Sequence, residues 1–482
     1  MKDQRVAGAL GTLVLAGLVI GIVSRAQQRP DITIPVVGER VPIRIAVPDI
    51  PGSGVSADVN RVFNETLWND LESSGVFQMV SKSLYPTEVP QKPEDFKPPL
   101  PAPAAPQRRM RPGETPPPPP APIRQGPWLT DWSQPPVQAN VLAFGNTAVQ
   151  NGQFTLSGWL FDVTKSDTAS AYVFGKRYFS SNDANGARLV AHDFSNDILQ
   201  KLGAGQGIAG TRIYFVSNRT GGGHKEIWAM DYDGNNQVPV TRYNSICLSP
   251  DVSPDGSMIA FTTFVRGRPE IFIHSLETNR RLTFYNQAAS LNATPSFSPD
   301  GKRLAYASSA SGHAQIYISN IDGSGFRRIT FSQAPEVEPK FNPKTGAQIV
   351  FVSGRSGQPQ IYLMDSDGTN VQKLTPNMNG NGDAVNPAWS PDGQRIAFSW
   401  TRGFEPGNYN IFIQEIATRN ITQLTYGAGR NEHPSWAPDG RHIVFSSDRS
   451  GSVQIWTMLA NGTQLKQLTT QGRNEMPVWG AK

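Results

Sequence analysis

Downstream of residue 210 the hydrophobic pattern repeats at two scales. Short apolar runs such as Arg303-Leu304-Ala305-Tyr306 and Arg395-Ile396-Ala397-Phe398 predict β-strands, and each follows the same punctuation. That punctuation reads Pro-x-aromatic-Ser/Ala-Pro-Asp-Gly, as in Pro295-Ser296-Phe297-Ser298-Pro299-Asp300-Gly301. The turn recurs as Pro254-Asp255-Gly256, Pro391-Asp392-Gly393 and Pro438-Asp439-Gly440, and in altered form as Pro343-Lys344-Thr345-Gly346. Proline presets φ at the first corner, Asp bonds nearby backbone, and Gly accepts a positive φ. An Ile-aromatic pair comes next in every unit: Ile227-Trp228, Ile271-Phe272, Ile316-Tyr317, Ile361-Tyr362, Ile411-Phe412 and Ile455-Trp456. A Leu-Thr or similar pair closes the unit, at Leu282-Thr283, Ile329-Thr330, Leu374-Thr375, Leu424-Thr425 and Leu468-Thr469. Successive Ile-aromatic pairs are 44, 45, 45, 50 and 44 residues apart, room for four short strands each. A period of about 40–45 residues with four strands defines a propeller blade, so the pattern predicts six blades over residues 211–482.

The register of the repeat is offset. The first unit starts at Ile213-Tyr214-Phe215, a second strand with no innermost strand before it, whereas Pro477-Val478-Trp479 is an innermost strand with nothing after it. The C-terminal strand is therefore expected to complete blade one, which closes the ring and removes an open sheet edge.

Residues 42–202 carry a different pattern. Pro42 to Ile50 and Phe77 to Val80 read as strands, and Val59, Val62, Phe63, Leu67 and Leu71 fall on one face of a helix. Val141 to Phe144, Phe154 to Val163 and Ala171 to Phe179 alternate like strands, and Leu189, Phe194, Ile198 and Leu199 fit a closing helix, so a small α/β domain is predicted. A segment at about 86–136 interrupts it with 18 of the 40 prolines, including the run Pro116 to Pro120. Such a tract favours extended polyproline II and reads as a solvated inserted loop. The Gly-rich stretch 203–210 contains Gly205-Gln206-Gly207-Ile208-Ala209-Gly210, which matches a dinucleotide fingerprint by letters. It follows a predicted helix and precedes a strand, the reverse of the dinucleotide context, and reads as an interdomain hinge.

At the N-terminus, Lys2 and Arg5 precede an uncharged apolar run from Ala7 to Val23, followed by small residues at Ser24 and Ala26. This is the layout of a secretory signal peptide over residues 1–26. The run of 17 residues is at the short limit for a membrane span, so the alternative is an inner-membrane signal-anchor facing the periplasm. Either way the rest of the chain leaves the cytoplasm. The net charge of +5 is local: Lys2, Arg5 and Arg25 against Asp3 give +2, and Arg108, Arg109, Arg111 and Arg124 against Glu114 give +3. The folded parts are then near neutral, which argues against nucleic acid as a partner. A single cysteine, Cys247, excludes an internal disulfide and reads as a small buried strand residue.

Recognisable reaction chemistry is absent from the sequence. There is no Gly-x-Ser-x-Gly elbow and no Gly-x-x-x-x-Gly-Lys phosphate loop. The histidines, His192, His224, His274, His313, His433 and His442, show no metal-ligand spacing. Asp231-x-Asp233-Gly234 and Asp365-x-Asp367-Gly368 resemble the start of a calcium loop but lack its downstream Glu, and read as hairpin turns. The expectation is a protein without catalytic residues, metal, cofactor or small-molecule substrate. The residues just ahead of each innermost strand are expected to ring one mouth of the central channel. The candidates are Asn292, Thr294, Glu336, Glu338, Asn386, Arg430, Asn431, Glu432, His433, Arg473, Asn474 and Glu475. A ring of converging hydrogen-bonding groups of mixed sign suits a peptide or protein.

A leader, a small α/β domain and then a six-bladed propeller of Ser-Pro-Asp-Gly repeats closed by Pro-Val-Trp resemble the TolB family of the Tol-Pal envelope system. The resemblance covers nearly the whole chain after residue 26. It implies a monomeric, non-enzymatic periplasmic protein that supports envelope integrity and cell division. It also implies that the propeller mouth binds Pal, a peptidoglycan-associated lipoprotein. An extended segment, residues 27–41, would engage the inner-membrane protein TolA; the positions resembling that segment are Ile32, Ile34 and Gly38 within Asp31 to Arg40. The proline insert departs from the family pattern. The rival readings are a propeller-gated hydrolase or lyase, and a glycan- or peptidoglycan-binding module using Trp389, Trp436 and Trp479 as stacking platforms.

Overall fold

The computed structural model describes residues 42–98, 100, 123, 125–376, 382–402, 407–427 and 429–480. The signal, the extended segment with Ile32, Ile34 and Gly38, and most of the proline run lie outside the described residues.

The α/β domain is built on one mixed sheet. β1 (Ile43–Ala46), β2 (Gly52–Ser53), β3 (Phe77–Met79), β4 (Val141–Gln150), β5 (Gln153–Asp162) and β6 (Tyr172–Ser181) form it in the order β3-β1-β4-β5-β6, with β2 beside β4. β1 runs parallel to β3 and β4; β4, β5 and β6 are antiparallel. Period-two alternation gives each strand two faces. Val141, Ala143, Phe154 and Leu156 meet α1 (Ala57–Ser73) and the closing helix Ala184–Lys201, which bring Phe63, Leu67, Phe194 and Ile198. Leu189 is an exception to the predicted helical face: it is 55% exposed, one residue out of phase with the buried pair Val190 and Phe194. The first strand is also shorter than predicted, because after Ala46 the backbone turns to side-chain partners: Val47 N–H donates to Tyr85 and Ile50 N–H to Asn64.

The other face of the sheet corrects the picture of the insert as a solvated loop. Leu142, Phe144 and Phe161 are covered by Phe96, Leu129, Trp132 and Val137, which belong to the flanks of the insert or adjoin it. Phe96 stacks on Phe161 and meets Phe144 edge-on. Leu100 and Ile123 exchange backbone bonds of 3.3 Å, and Lys97 N–H donates to Pro127, so the two arms are zipped together. The aromatic residues of the arms, rather than the prolines, supply the burial.

The propeller has six four-stranded antiparallel sheets, as the repeat predicted. The inner strands are Asn474–Trp479, Cys247–Val252, Asn292–Phe297, Glu336–Phe341, Ala384–Trp389 and Asn431–Trp436 for blades one to six. Blade one is closed by Asn474–Trp479 pairing with Arg212–Ser217, in register Trp479↔Ile213 and Asn474↔Ser217. Trp479 is 6% exposed, and its indole N–H donates to Thr211 at 2.8 Å. The Ser-Pro-Asp-Gly turn is held from both sides: Ser298 Oγ donates to Asp300, and Asp300 and Ser298 accept the N–H groups of Lys302 and Arg303. Gly301 has φ +67°, which explains the glycine. The two Asp-x-Asp-Gly segments are turns of the same logic, with Asp233 and Asp367 accepting the N–H two residues on.

One repeat position differs from its sequence match. Val240, Ile329, Leu374, Leu424 and Leu468 each donate a backbone bond to the Ile of the Ile-aromatic pair thirteen residues earlier. In blade two that spacing from Ile271 falls on Phe284, 6% exposed, whereas Leu282 is 36% exposed. Phe284 fills the core, so Leu282-Thr283 matches the motif only by letters.

The two domains meet at the end of the propeller that carries the Ser-Pro-Asp-Gly turns. Blade six has Ala437 in place of the serine, which leaves Asp439 to hold His442 at 2.7 Å, and His442 in turn bonds the Ser73 carbonyl. Arg441 donates to the carbonyls of Ser74, Ala204 and Gln206, so the Gly-rich segment after the closing helix is bound to blade six. Buried Asp70 accepts from His192, Ser195 and, across the interface, Tyr232.

Candidate functional site: the central channel

Each inner strand contains a bulge at one X-Pro step. Ser249, Thr294, Glu338, Asn386, His433 and Met476 all adopt φ between +50° and +54°, and the proline that follows each cannot donate to the ladder. A left-handed non-glycine residue costs about 1–3 kcal/mol unless its surroundings hold it. Here the amide is captured by the preceding blade: Thr294 N–H donates to Thr262 Oγ1 (3.0 Å), Glu338 to Thr294 Oγ1 (3.2 Å), Asn386 to Glu338 (2.6 Å) and His433 to Ser399 Oγ (3.1 Å). Ser249 N–H meets the Met476 sulfur at 3.4 Å. The result is a waist stitched at five of its six blade-to-blade steps.

Beyond the waist, towards the domain interface, the channel widens into a cavity of about 380 Å³. Prolines of the bulges and turns line it, with Phe297, Phe341 and the three tryptophans Trp389, Trp436 and Trp479. These indoles are 5–7% exposed and packed between blades, so they are core residues rather than free stacking platforms. Asp251 of blade two reaches Lys340 of blade four across the funnel at 2.5 Å.

The predicted site residues separate into three groups. Asn292, Glu336, Asn431 and Asn474 are 0–1% exposed and lie off the rim. Each heads its inner strand, so its side chain turns into the blade and satisfies loop groups. Asn292 donates to the Gln287 carbonyl, Glu336 takes a bidentate bond from Arg355, Asn431 accepts from Arg449, and Asn474 accepts from Arg219. Thr294, Glu338, Asn386 and His433 come together at the waist. Arg430, Glu432, Arg473 and Glu475 remain at the rim. There Arg430 Nη2 lies 2.9 Å from Glu432 and Arg473 Nε 3.2 Å from Glu475, which Lys225 also pairs. The two arginine side chains are about half exposed, at 50% and 51%.

Burial shapes the charge of this column. Desolvation raises the Glu338 carboxyl, against hydrogen bonds from Asn386 and the charge of Lys340. Desolvation also raises Glu432, opposed by Arg430 and reinforced by Glu475. For Glu475, burial acts upward, but Lys225 and Arg473 outweigh it and hold the carboxyl below its ordinary value. Burial pushes His433 down to about 4, so its imidazole is neutral at pH 7. Cys247 is buried, and desolvation pushes its thiol up to about 12, which leaves it inert. Sequence reasoning missed Ser249, Met476, Asp251 and Lys340. The signal for the first two was present, since an X-Pro step recurs at the same place in every inner strand.

The fold and the channel define a closed six-bladed β-propeller carried by a small α/β domain, with a polar waist and a charged rim. A family model described as TolB beta propeller domain matches residues 199–384 and 377–482, more than half of the chain. The chain therefore belongs to the TolB family. Among curated relatives, Protein TolB homolog of Chlorobium chlorochromatii is 36% identical over 138 residues, 29% of this chain and 30% of that protein. Tol-Pal system protein TolB of Bordetella pertussis is 35% identical over 206 residues, 42% of this chain and 45% of that protein. The matched segments thus span less than half the length of these relatives. The crystal structure of TolB from Acinetobacter baumannii shares the fold, with a TM-score of 0.70 over 92% of this chain and 98% of that one, at 24% identity.

Proposed function

We propose that the chain is the non-enzymatic protein-binding component of a Tol-Pal system in the periplasm, linking a Pal-like outer-membrane lipoprotein to inner-membrane Tol proteins such as TolA. Family membership supports the system-level reading. The rim carries the proposal for the site: Arg430 and Arg473 are half exposed, each beside a carboxylate, at the mouth of a channel whose waist presents Glu338, Asn386 and neutral His433. Such a mouth can exchange its internal ion pairs for charge-assisted bonds to a partner's backbone and side chains. The extended segment with Ile32, Ile34 and Gly38 is the proposed TolA contact. Among the described residues no helix is long and apolar enough to cross a membrane.

Calorimetry with a soluble Pal-like domain tests the proposal. Arg430→Ala with Arg473→Ala should weaken binding by about 2–5 kcal/mol if the partner buries these charges. Charge changes on the outer blade edges, such as Arg327→Ala with Arg419→Ala, should leave it unchanged. Weakening by the outer pair alone would move the site; no binding by the wild type would remove the Pal assignment.

A further inference from the structure

Blade two departs from the repeat at one place, and a cavity of about 540 Å³ opens there, on the outer edge of the propeller. In blades one, five and six, a threonine fourteen residues after the repeat isoleucine does two jobs. Thr241, Thr425 and Thr469 accept the isoleucine N–H and donate their hydroxyls to Glu226, Asn410 and Gln454, which head the third strand. In blade two that position is Tyr285, whose ring cannot fit the slot and stands 67% exposed. Asn286 takes over the backbone bonds of Ile271, at 2.8 and 2.9 Å. Glu270, which heads the strand, is left to other partners.

Those partners are cations. Glu270 is 2% exposed and receives Arg268 at 3.1 Å and Arg266 at 3.4 Å. Arg281 lies 3.6 Å above the centroid of the Phe272 ring and has no acidic partner among the described residues. All three arginines line the cavity together with Tyr285 and Asn286. Three guanidiniums against one carboxylate leave a net charge of +2 (3 − 1). Arginine forks match the oxygens of phosphate and carboxylate groups, and a phosphomonoester carries about −1.5 to −2 at neutral pH. A dianion balances this cavity, whereas a single carboxylate does not.

We propose that the blade-two cavity binds a phosphomonoester, with Arg266, Arg268 and Arg281 as its ligands and the Tyr285 hydroxyl at its mouth. The phosphate can be that of a soluble ester or of a lipid headgroup. The site is independent of the channel.

The test titrates the purified chain with inorganic phosphate and with glycerol phosphate at constant ionic strength, followed by calorimetry and phosphorus NMR line width. Saturable millimolar binding is expected, and acetate should not compete at equal concentration. Arg268→Gln with Arg281→Gln should weaken binding by at least about tenfold. Tyr285→Thr keeps all three arginines but restores the repeat residue, so it should close the cavity and also lose binding. Arg327→Gln, on the edge of blade three, should bind as the wild type does, and all variants should retain cooperative melting. Sedimentation with phosphatidic acid vesicles, against phosphatidylcholine alone, assigns the source: co-sedimentation supports a lipid headgroup, and binding of the soluble esters alone supports a free ester. The proposal is overturned if the wild type shows no saturable phosphate binding. It is equally overturned if the double arginine variant binds unchanged or acetate displaces phosphate on equal terms.

Discussion

The two ends of the channel are built from the same strands and differ in what repeats. At the funnel end the blades share most of their residues: a bulge proline in all six, an aromatic residue in five, and the stapled Ser-Pro-Asp-Gly turn in blades two, three and five. At the rim end, the position two residues ahead of the bulge is buried in every blade but varies in identity, and the ion pairs Arg430–Glu432 and Arg473–Glu475, which flank the start of an inner strand, belong to blades six and one. In a repeat protein, residues required by the fold recur because every blade has the same packing problem. Residues that break the repeat while staying exposed are free to answer to something outside the chain. The rim and the Tyr285 edge both fit that description; the funnel prolines do not.

The largest predicted effect tests the structural end of this contrast. Deleting residues from Asn474 onward removes the inner strand of blade one and the Trp479 bond to Thr211, so the truncated chain should lose cooperative melting and aggregate. Trp479→Ala alone should cost about 3–5 kcal/mol, read by denaturant titration. An unchanged midpoint would sink the closure account.

A smaller effect separates the waist from the rim. His433 titrates near 4 in the folded protein and near 6.5 when unfolded, because burial disfavours its charged form. The unfolded state therefore binds more protons between these values, and stability should fall as pH drops from about 6.5 towards 4. The loss is of the order of 2–3 kcal/mol by linkage. His433→Gln should flatten that limb of the stability–pH curve. Persistence of the full slope in the variant would place the titrating group elsewhere.

The smallest stability effect belongs to the rim. Arg430→Ala with Arg473→Ala removes half-exposed ion pairs, worth about 0–1 kcal/mol each. Their thermal midpoint should hardly move, while association with a partner should slow and lose salt dependence. A large drop in melting temperature would mean the rim charges are structural.

Much of the architecture was legible because propeller blades repeat their turn chemistry. Pro-Asp-Gly marks the first hairpin of the blade, the Ile-aromatic pair marks the third strand, and the unmatched Ile213 and Trp479 announced the closure. The site was harder to read. Asn292, Glu336, Asn431 and Asn474 look like rim residues in a linear pattern, but heading a bulged inner strand turns their side chains into the blade. Leu282-Thr283 shows the opposite error, in which a motif matched by letters displaced a constant spacing of thirteen that pointed to Phe284. Trp132 and Phe96, within a proline-rich segment, gave no periodic signal at all. Their burial comes from a tertiary contact with the far face of the α/β sheet, which no local pattern encodes.

The most direct test of the channel-mouth account is amide hydrogen exchange of the full chain with and without a soluble Pal-like domain. Binding at the rim predicts new protection at residues 429–433 and 472–475, with the funnel turns at 254–257 and 299–302 unchanged. Protection of those turns, or of the outer strands alone, with an unprotected rim would contradict it.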